Sequence, residues 1–210
     1  MKRKVFLPYF LYLFFIPVTL LFAGNPDKNP QKDNYKIDPK KSNVRWTGKS
    51  VRGGHFGDIS IKEGSFIYDG KLITGGTIVI DMNSISVKDI EDPNRQNRLA
   101  NHLKSDDFFS ADKFPEAKLV VTSSKPGKSA GQIEVSGELT IKGITKPISF
   151  PVNLKNSGNS VDAEGTITVD RIQYDIKYRS KSVLDPSALA DRLIYDEFTL
   201  DFKVSASKWH

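Results

Sequence analysis

Three histidines and no cysteine bound the chemistry open to this 210-residue chain. His55 lies between Gly54 and Phe56 in a glycine-rich stretch, His102 precedes Leu103, and His210 is the last residue. A nucleophilic site needs Ser or Thr beside a His that an acid orients, and no G-x-S-x-G elbow occurs. Neither His55 nor His102 has a second ligand three or four residues on along a convincing helix face, and no thiolate can complete a zinc set. Asp81, Asp170 and Asp201 fall on the polar faces of strand-like runs, where solvated carboxylates explain them. Asp170-Arg171 reads as a surface ion pair of small worth unless the fold buries it at the mouth of a barrel. Lys142-Gly143-Ile144-Thr145-Lys146-Pro147 lacks the G-x-x-x-x-G-K spacing of a phosphate loop and reads as a hairpin turn. These residues assemble no catalytic or metal site, so the expectation is a protein that is not an enzyme.

The elements around them are strands. Apolar residues alternate with polar ones at Val44 and Trp46, at Ile78, Ile80 and Met82, and from Ile133 through Val135, Gly137 and Leu139 to Ile141. The same period recurs at Ile148, Phe150 and Val152, from Val161 to Val169, and at Phe198, Leu200, Phe202 and Val204. One apolar face per strand calls for antiparallel neighbours, because strands buried on both faces read as continuous apolar runs. Turn pairs such as Asp69-Gly70, Pro126-Gly127, Lys142-Gly143 and Ser157-Gly158 separate the runs. Glycines at 76, 137 and 165 fall on the apolar faces, where they relieve crowding or mark bends as a sheet closes. Seven or eight such strands joined by short turns predict an all-β, antiparallel fold, a barrel or a sandwich, with closure into a barrel preferred. Alternation stops between 90 and 109, where Ile90, Leu99, His102 and Leu103 have helical spacing behind Pro93. Ser105 followed by Asp106 and Asp107 reads as an N-cap with acids on a helix dipole, and a second short helix is expected at 187–193.

The ends of the chain carry other signals. Lys2, Arg3 and Lys4 precede an apolar run over 5–22, a pattern that predicts a signal peptide over 1–23, with membrane anchoring through 5–22 as the rival. A polar linker follows at 24–34, and the barrel domain is expected over 35–207. The three basic residues supply half of the net charge of +6, leaving +3 on residues 24–210. That remainder is interspersed with acids rather than gathered in a stripe, which argues against nucleic acid as a partner. Export without cysteine suits a bacterial periplasm.

Further motifs carry a resemblance. Tyr35-Lys36-Ile37-Asp38-Pro39, Ser42-Asn43-Val44-Arg45-Trp46, His102-Leu103-Lys104-Ser105-Asp106-Asp107-Phe108-Phe109, Lys113-Phe114-Pro115 and Gly137-Glu138-Leu139-Thr140-Ile141-Lys142-Gly143 follow in order. Asp170-Arg171 and Ile194-Tyr195-Asp196-Glu197-Phe198 close the series. Together they resemble the YceI-like family. That resemblance implies an exported, lipocalin-like, eight-stranded antiparallel barrel that binds a polyprenyl quinone or other long isoprenoid amphiphile, with no cofactor beyond such a ligand. It places the lipid tail against Trp46, Ile78, Ile80, Leu139, Ile141, Phe150, Phe198 and Phe202. His55, His102, Lys104, Phe108 and Phe109 are expected at the cavity mouth. The membrane enters only as a source of lipid, and pairing of two barrels into a homodimer stays open. Two other readings stand beside this one: a metal or quinone-head-group enzyme using His55 and His102, and a filled barrel with no ligand.

Overall fold

Period-two alternation becomes nine strands in the computed structural model, which describes residues 32–183 and 190–209. In chain order these are β1 (Asp33–Ile37), β2 (Asn43–Ser50), β3 (Gly53–Tyr68), β4 (Ile73–Asp81), β5 (Glu116–Pro126), β6 (Gln132–Ile141), β7 (Ile144–Asn156), β8 (Ser160–Asp170) and β9 (Ile194–Trp209). The expected signal peptide and rival anchor, His210, most of the polar linker, and the first part of the helix expected at 187–193 lie outside the described residues. What is described of that helix is a 3-10 turn at Ala190–Arg192.

The nine strands make an eight-position antiparallel barrel. β1 and β2 run in the same direction and both lie between β3 and β9: Tyr35 faces Phe66 and Lys208, while Trp46 faces Gly57 and Leu200. A 3-10 turn at Pro39–Lys41, started by Pro39 and capped by the Asp38 carboxylate, breaks this one stave in two. The other seven follow as sequential antiparallel neighbours from β3 to β9, and the β3–β4 and β9–β2 ladders close the circle. Closure leaves no strand without a partner on either side. Among the full-length staves the β7–β8 ladder is the short one, joining Asn153–Asn156 to Val161–Glu164. Beyond it, toward the start of β7, Pro147 and Pro151 lack the N–H that a partner strand would use.

Alternation also sets what lies inside. On β6, Ile133, Val135, Leu139 and Ile141 are buried, and Gly137 keeps the same face. A Cβ on Gly76, Gly137 or Gly165 would lie 2.7, 2.3 or 2.6 Å from the carbonyl oxygen of Ser65, Val120 or Pro151. The inward glycines therefore permit the close strand approach of a tightly curled wall. The Lys142-Gly143 turn joins β6 to β7 as expected, both residues having positive φ (50° and 73°).

The two ends differ. At one, where the β3–β4, β5–β6 and β7–β8 turns lie, Tyr35 stacks on Phe66 (5.6 Å) and meets Tyr68 edge-on, packing the interior solid. At the other lie the β2–β3 turn, the long β4–β5 connection and the β8–β9 connection. The β4–β5 connection holds α1 (Pro93–Lys104), the α-helix among the described residues. Its N-cap is Asp92, whose carboxylate accepts from Asn94 and Arg95 N–H, with Pro93 at the first helical position. Helical spacing over 90–109 thus overstated the helix at both ends. Ser105 also has the opposite role from the one expected: it is the C-cap, its N–H donating to His102 C=O. Ser-Asp-Asp carries an N-cap composition, but no helix follows it, because the chain must turn back to bring Phe108 and Phe109 over the barrel.

Candidate functional site

The end of the barrel bearing α1 encloses a cavity of about 330 Å³. Trp46, Ile80, Leu139, Ile141 and Phe198 form part of its wall, on four different strands. Leu103 from α1, with Phe108 and Phe109 just beyond it, also lines it, and Phe109 meets Phe198 edge-on at 6.0 Å. Three residues expected on the wall are not there. Ile78, Phe150 and Phe202 point inward but belong to the packed core, where Phe150 and Phe202 meet edge-on at 6.0 Å. Period two says which side of the sheet a residue takes and nothing of its height along the barrel axis.

One side of the wall depends on a close backbone approach. After β4 the chain runs beside β3: Ser86 N–H donates to Asp58 C=O at 3.0 Å, and Lys88 N–H donates to Phe56 C=O at 2.9 Å. Ser86 C=O accepts from the Trp46 indole Nε1–H at 2.9 Å, so the ring keeps its apolar body on the cavity and satisfies its polar atom behind it. This packing needs Gly57, since a Cβ there would fall 1.8 Å from Ser86 O.

The two histidines serve different places. His55 is on the rim of the cavity, its Nδ1 2.7 Å from an Asp89 oxygen. His102 lies outside the wall, packed edge-on against Phe108 (5.0 Å) and Tyr178 (4.9 Å), its Nε2 2.8 Å from Asp107. It anchors the segment that carries Phe108. Lys104, expected at the mouth, ends α1 and does not line the cavity; its C=O accepts from Ala111 N–H and so fixes the return of the chain. Among the described residues no group of three His, Asp or Glu is placed to hold a metal.

Arg171 meets the exception to the surface-pair reading of Asp170-Arg171, burial at the mouth of the barrel, but with a partner that the sequence pattern did not show. Its guanidinium is buried at the cavity, where Nε donates to Tyr195 C=O at 3.1 Å, Nη1 to Ile176 C=O at 2.8 Å, and Nη2 to Ile194 C=O at 3.1 Å. Its carboxylate partner is Asp196 at 3.4 Å, whereas the adjacent Asp170 caps the 3-10 turn Arg171–Tyr174 through Ile172 N–H. Burial pushes the guanidinium below its usual value, while Asp196 and then Asp170 pull it back up. Adjacency in sequence pointed to Asp170; the fold turns Arg171 inward, across to the start of β9. Arg179, Arg192 and Lys49 also line the mouth, and no sequence signal marked them.

A model of the YceI-like domain matches residues 35–206. A UPF0312 protein of Shewanella denitrificans is 32% identical over 131 residues, covering 60% of this chain and 64% of that protein. Protein YceI of Shigella flexneri is 30% identical over 132 residues, again covering 60% of this chain and 64% of its relative. Both matches thus span less than two thirds of the relatives' length. Among solved structures, BcnA of Burkholderia cenocepacia has a TM-score of 0.58 at 21% identity, over 81% of this chain and 99% of that one. A Saccharophagus degradans protein described as a polyisoprenoid binding domain implicated in plant cell wall breakdown has a TM-score of 0.59 at 14% identity, over 83% and 98%. These likenesses establish a shared barrel fold.

Proposed function

The chain belongs to the YceI-like domain family, and from that premise we propose that it is a non-enzymatic protein that holds the apolar tail of an isoprenoid-type lipid in its barrel. The observation that carries this reading is the cavity of about 330 Å³, walled by apolar side chains and packed shut behind. Its size is at the lower end of small-molecule sites, which run from about 300 to 1,000 Å³. At about 30 Å³ per water-sized group it holds about ten carbons. Burying ten carbons releases about 8 kcal/mol before the cost of association. A longer polyprenyl tail fits by extending through the mouth or by displacing Phe108 and Phe109. The polyisoprenoid-binding description of the Saccharophagus degradans domain supports a chain-like ligand.

Binding is favoured over chemistry because the two imidazoles are engaged separately, His55 with Asp89 and His102 with Asp107, and only His55 faces the cavity. The same reading places the mature protein in the periplasm after removal of residues 1–23, with the binding domain over 35–207. Mass spectrometry of lipids extracted from protein purified from its native host tests the ligand. A reproducible isoprenoid species is expected, and an empty barrel that also fails to take up a polyprenyl quinone overturns the reading. The intact mass of the protein in the periplasmic fraction tests export, with a mature chain beginning near Gly24 as the expected result.

A further inference from the structure

We propose that the mouth of this cavity recognises an anion, so that the ligand is an amphiphile with a phosphate or carboxylate head group. The inference rests on the lipid-binding reading and narrows it. Five cationic side chains line the cavity, Lys49, Arg52, Arg171, Arg179 and Arg192, against two carboxylates, Asp191 and Glu197. Counting Asp196, which pairs with Arg171, the opening keeps an excess of two positive charges, so cations far apart in the chain meet around one opening.

Their pairing strengthens the case. Arg52 is engaged by Asp191 and Arg171 by Asp196. Among the described residues, Lys49, Arg179 and Arg192 have no carboxylate partner. Arg179 is held in an unusual way: its backbone is left-handed (φ 50°), its C=O accepts from Ile194 N–H at 3.0 Å, and its guanidinium lies over the Tyr178 ring, 5.0 Å from the centroid. A non-glycine residue in that conformation is uncommon, and here it presents a cation at the rim. A cation–π contact uses none of the guanidinium's hydrogen-bond donors, so they stay available to an oxyanion. Arg171, deeper in, spends four of its five N–H donors on Tyr195, Ile176, Ile194 and Asp196. Beside an apolar wall the field of these groups is screened less than on an open surface. A tail in the cavity and an anion at its mouth thus belong to one molecule.

The test compares farnesyl phosphate with farnesol, which share a tail and differ in charge. Trp46 on the wall is the reporter, and Trp209→Phe removes the only other tryptophan, which is exposed at the packed end. In delipidated full-length protein, farnesyl phosphate is expected to bind at least about tenfold more tightly than farnesol at low salt. That ratio should shrink with added KCl and fall to within about twofold in R179Q/R192Q. The salt titration uses the unsubstituted mouth and keeps the proposal testable if the double variant folds poorly. Equal affinity for the two ligands, insensitive to salt, overturns the head-group assignment and leaves the apolar cavity standing. No response to either ligand overturns both readings. Inorganic phosphate alone is expected to leave Trp46 unchanged and to displace farnesyl phosphate only at far higher concentration; displacement at equal concentration would mark a free-anion site and overturn the amphiphile proposal.

Discussion

Arg171 and Asp196 meet at 3.4 Å where the β8–β9 connection re-enters the wall, with only 4% and 14% of their side chains exposed. The guanidinium also ties down the carbonyls of Ile176, Ile194 and Tyr195, so one buried cation holds the 3-10 turn, the loop after it and the first residues of β9. Asp196 in turn accepts from Ser182 Oγ.

Removing one partner leaves a buried group uncompensated. Arg171→Met is expected to cost about 3–5 kcal/mol in urea unfolding. Asp196→Asn should cost less, because the three carbonyl bonds of Arg171 survive. In the double variant the two losses should add to less than their sum, and full additivity would show that the pair is not coupled.

Gly57→Ala sets a methyl group against Ser86 O, where the approach leaves no room. A loss of about 1–3 kcal/mol is expected from overpacking. The change should also lengthen or break the bond from Trp46 Nε1–H to Ser86 C=O, shifting tryptophan emission. An unchanged melting temperature and spectrum would contradict the close approach.

The hollow and packed ends should respond differently to truncation. Phe150→Ala opens a void in a filled core and is expected to cost about 3–5 kcal/mol. Leu200→Ala merely widens an existing cavity, at about 1–2 kcal/mol before ligand is added. Equal losses by chemical denaturation would mean that the interior is uniformly filled.

Acid should weaken the β3–β4 turn. The Asp69 carboxylate accepts from Leu72 N–H at 2.8 Å and Lys71 N–H at 3.0 Å, and these bonds, Leu72 first, hold its carboxyl below the usual range. A carboxyl lowered in the folded state stabilises the protein above its unfolded value, near about pH 4, and loses that contribution as the pH falls through the folded value. Asp69→Asn should therefore melt lower than the parent near neutral pH, with the gap closing below about pH 4. A gap independent of pH would assign the effect to the turn geometry alone.

Much of the barrel was legible residue by residue. Ile133, Val135, Leu139 and Ile141 alternate in sequence and are buried as that alternation requires. Pro93 began the helix, and Lys142-Gly143 made the hairpin. The segment from His102 to Phe109, expected from the resemblance at the cavity mouth, is there only in part: Phe108 and Phe109 line the hollow, whereas His102 and Lys104 brace it from outside. Ser105 was misread because capping composition is local, while helix polarity depends on which side the helix lies.

Sequence alone determined the period of the strands, the side each residue faces and the turns, and hence antiparallel strands with one buried face, because the two-residue repeat is a property of the backbone itself. Tertiary structure alone decided how high each inward residue sits. That height separates Ile80 and Phe198 on the cavity wall from Phe150 and Phe202 in the packed core, and it depends on the stagger between strands. It also decided that Arg171 pairs with Asp196, 25 residues away, rather than with its neighbour Asp170. Burial can convert a weak surface pair into an organising one only where the fold brings distant segments together and takes them out of water.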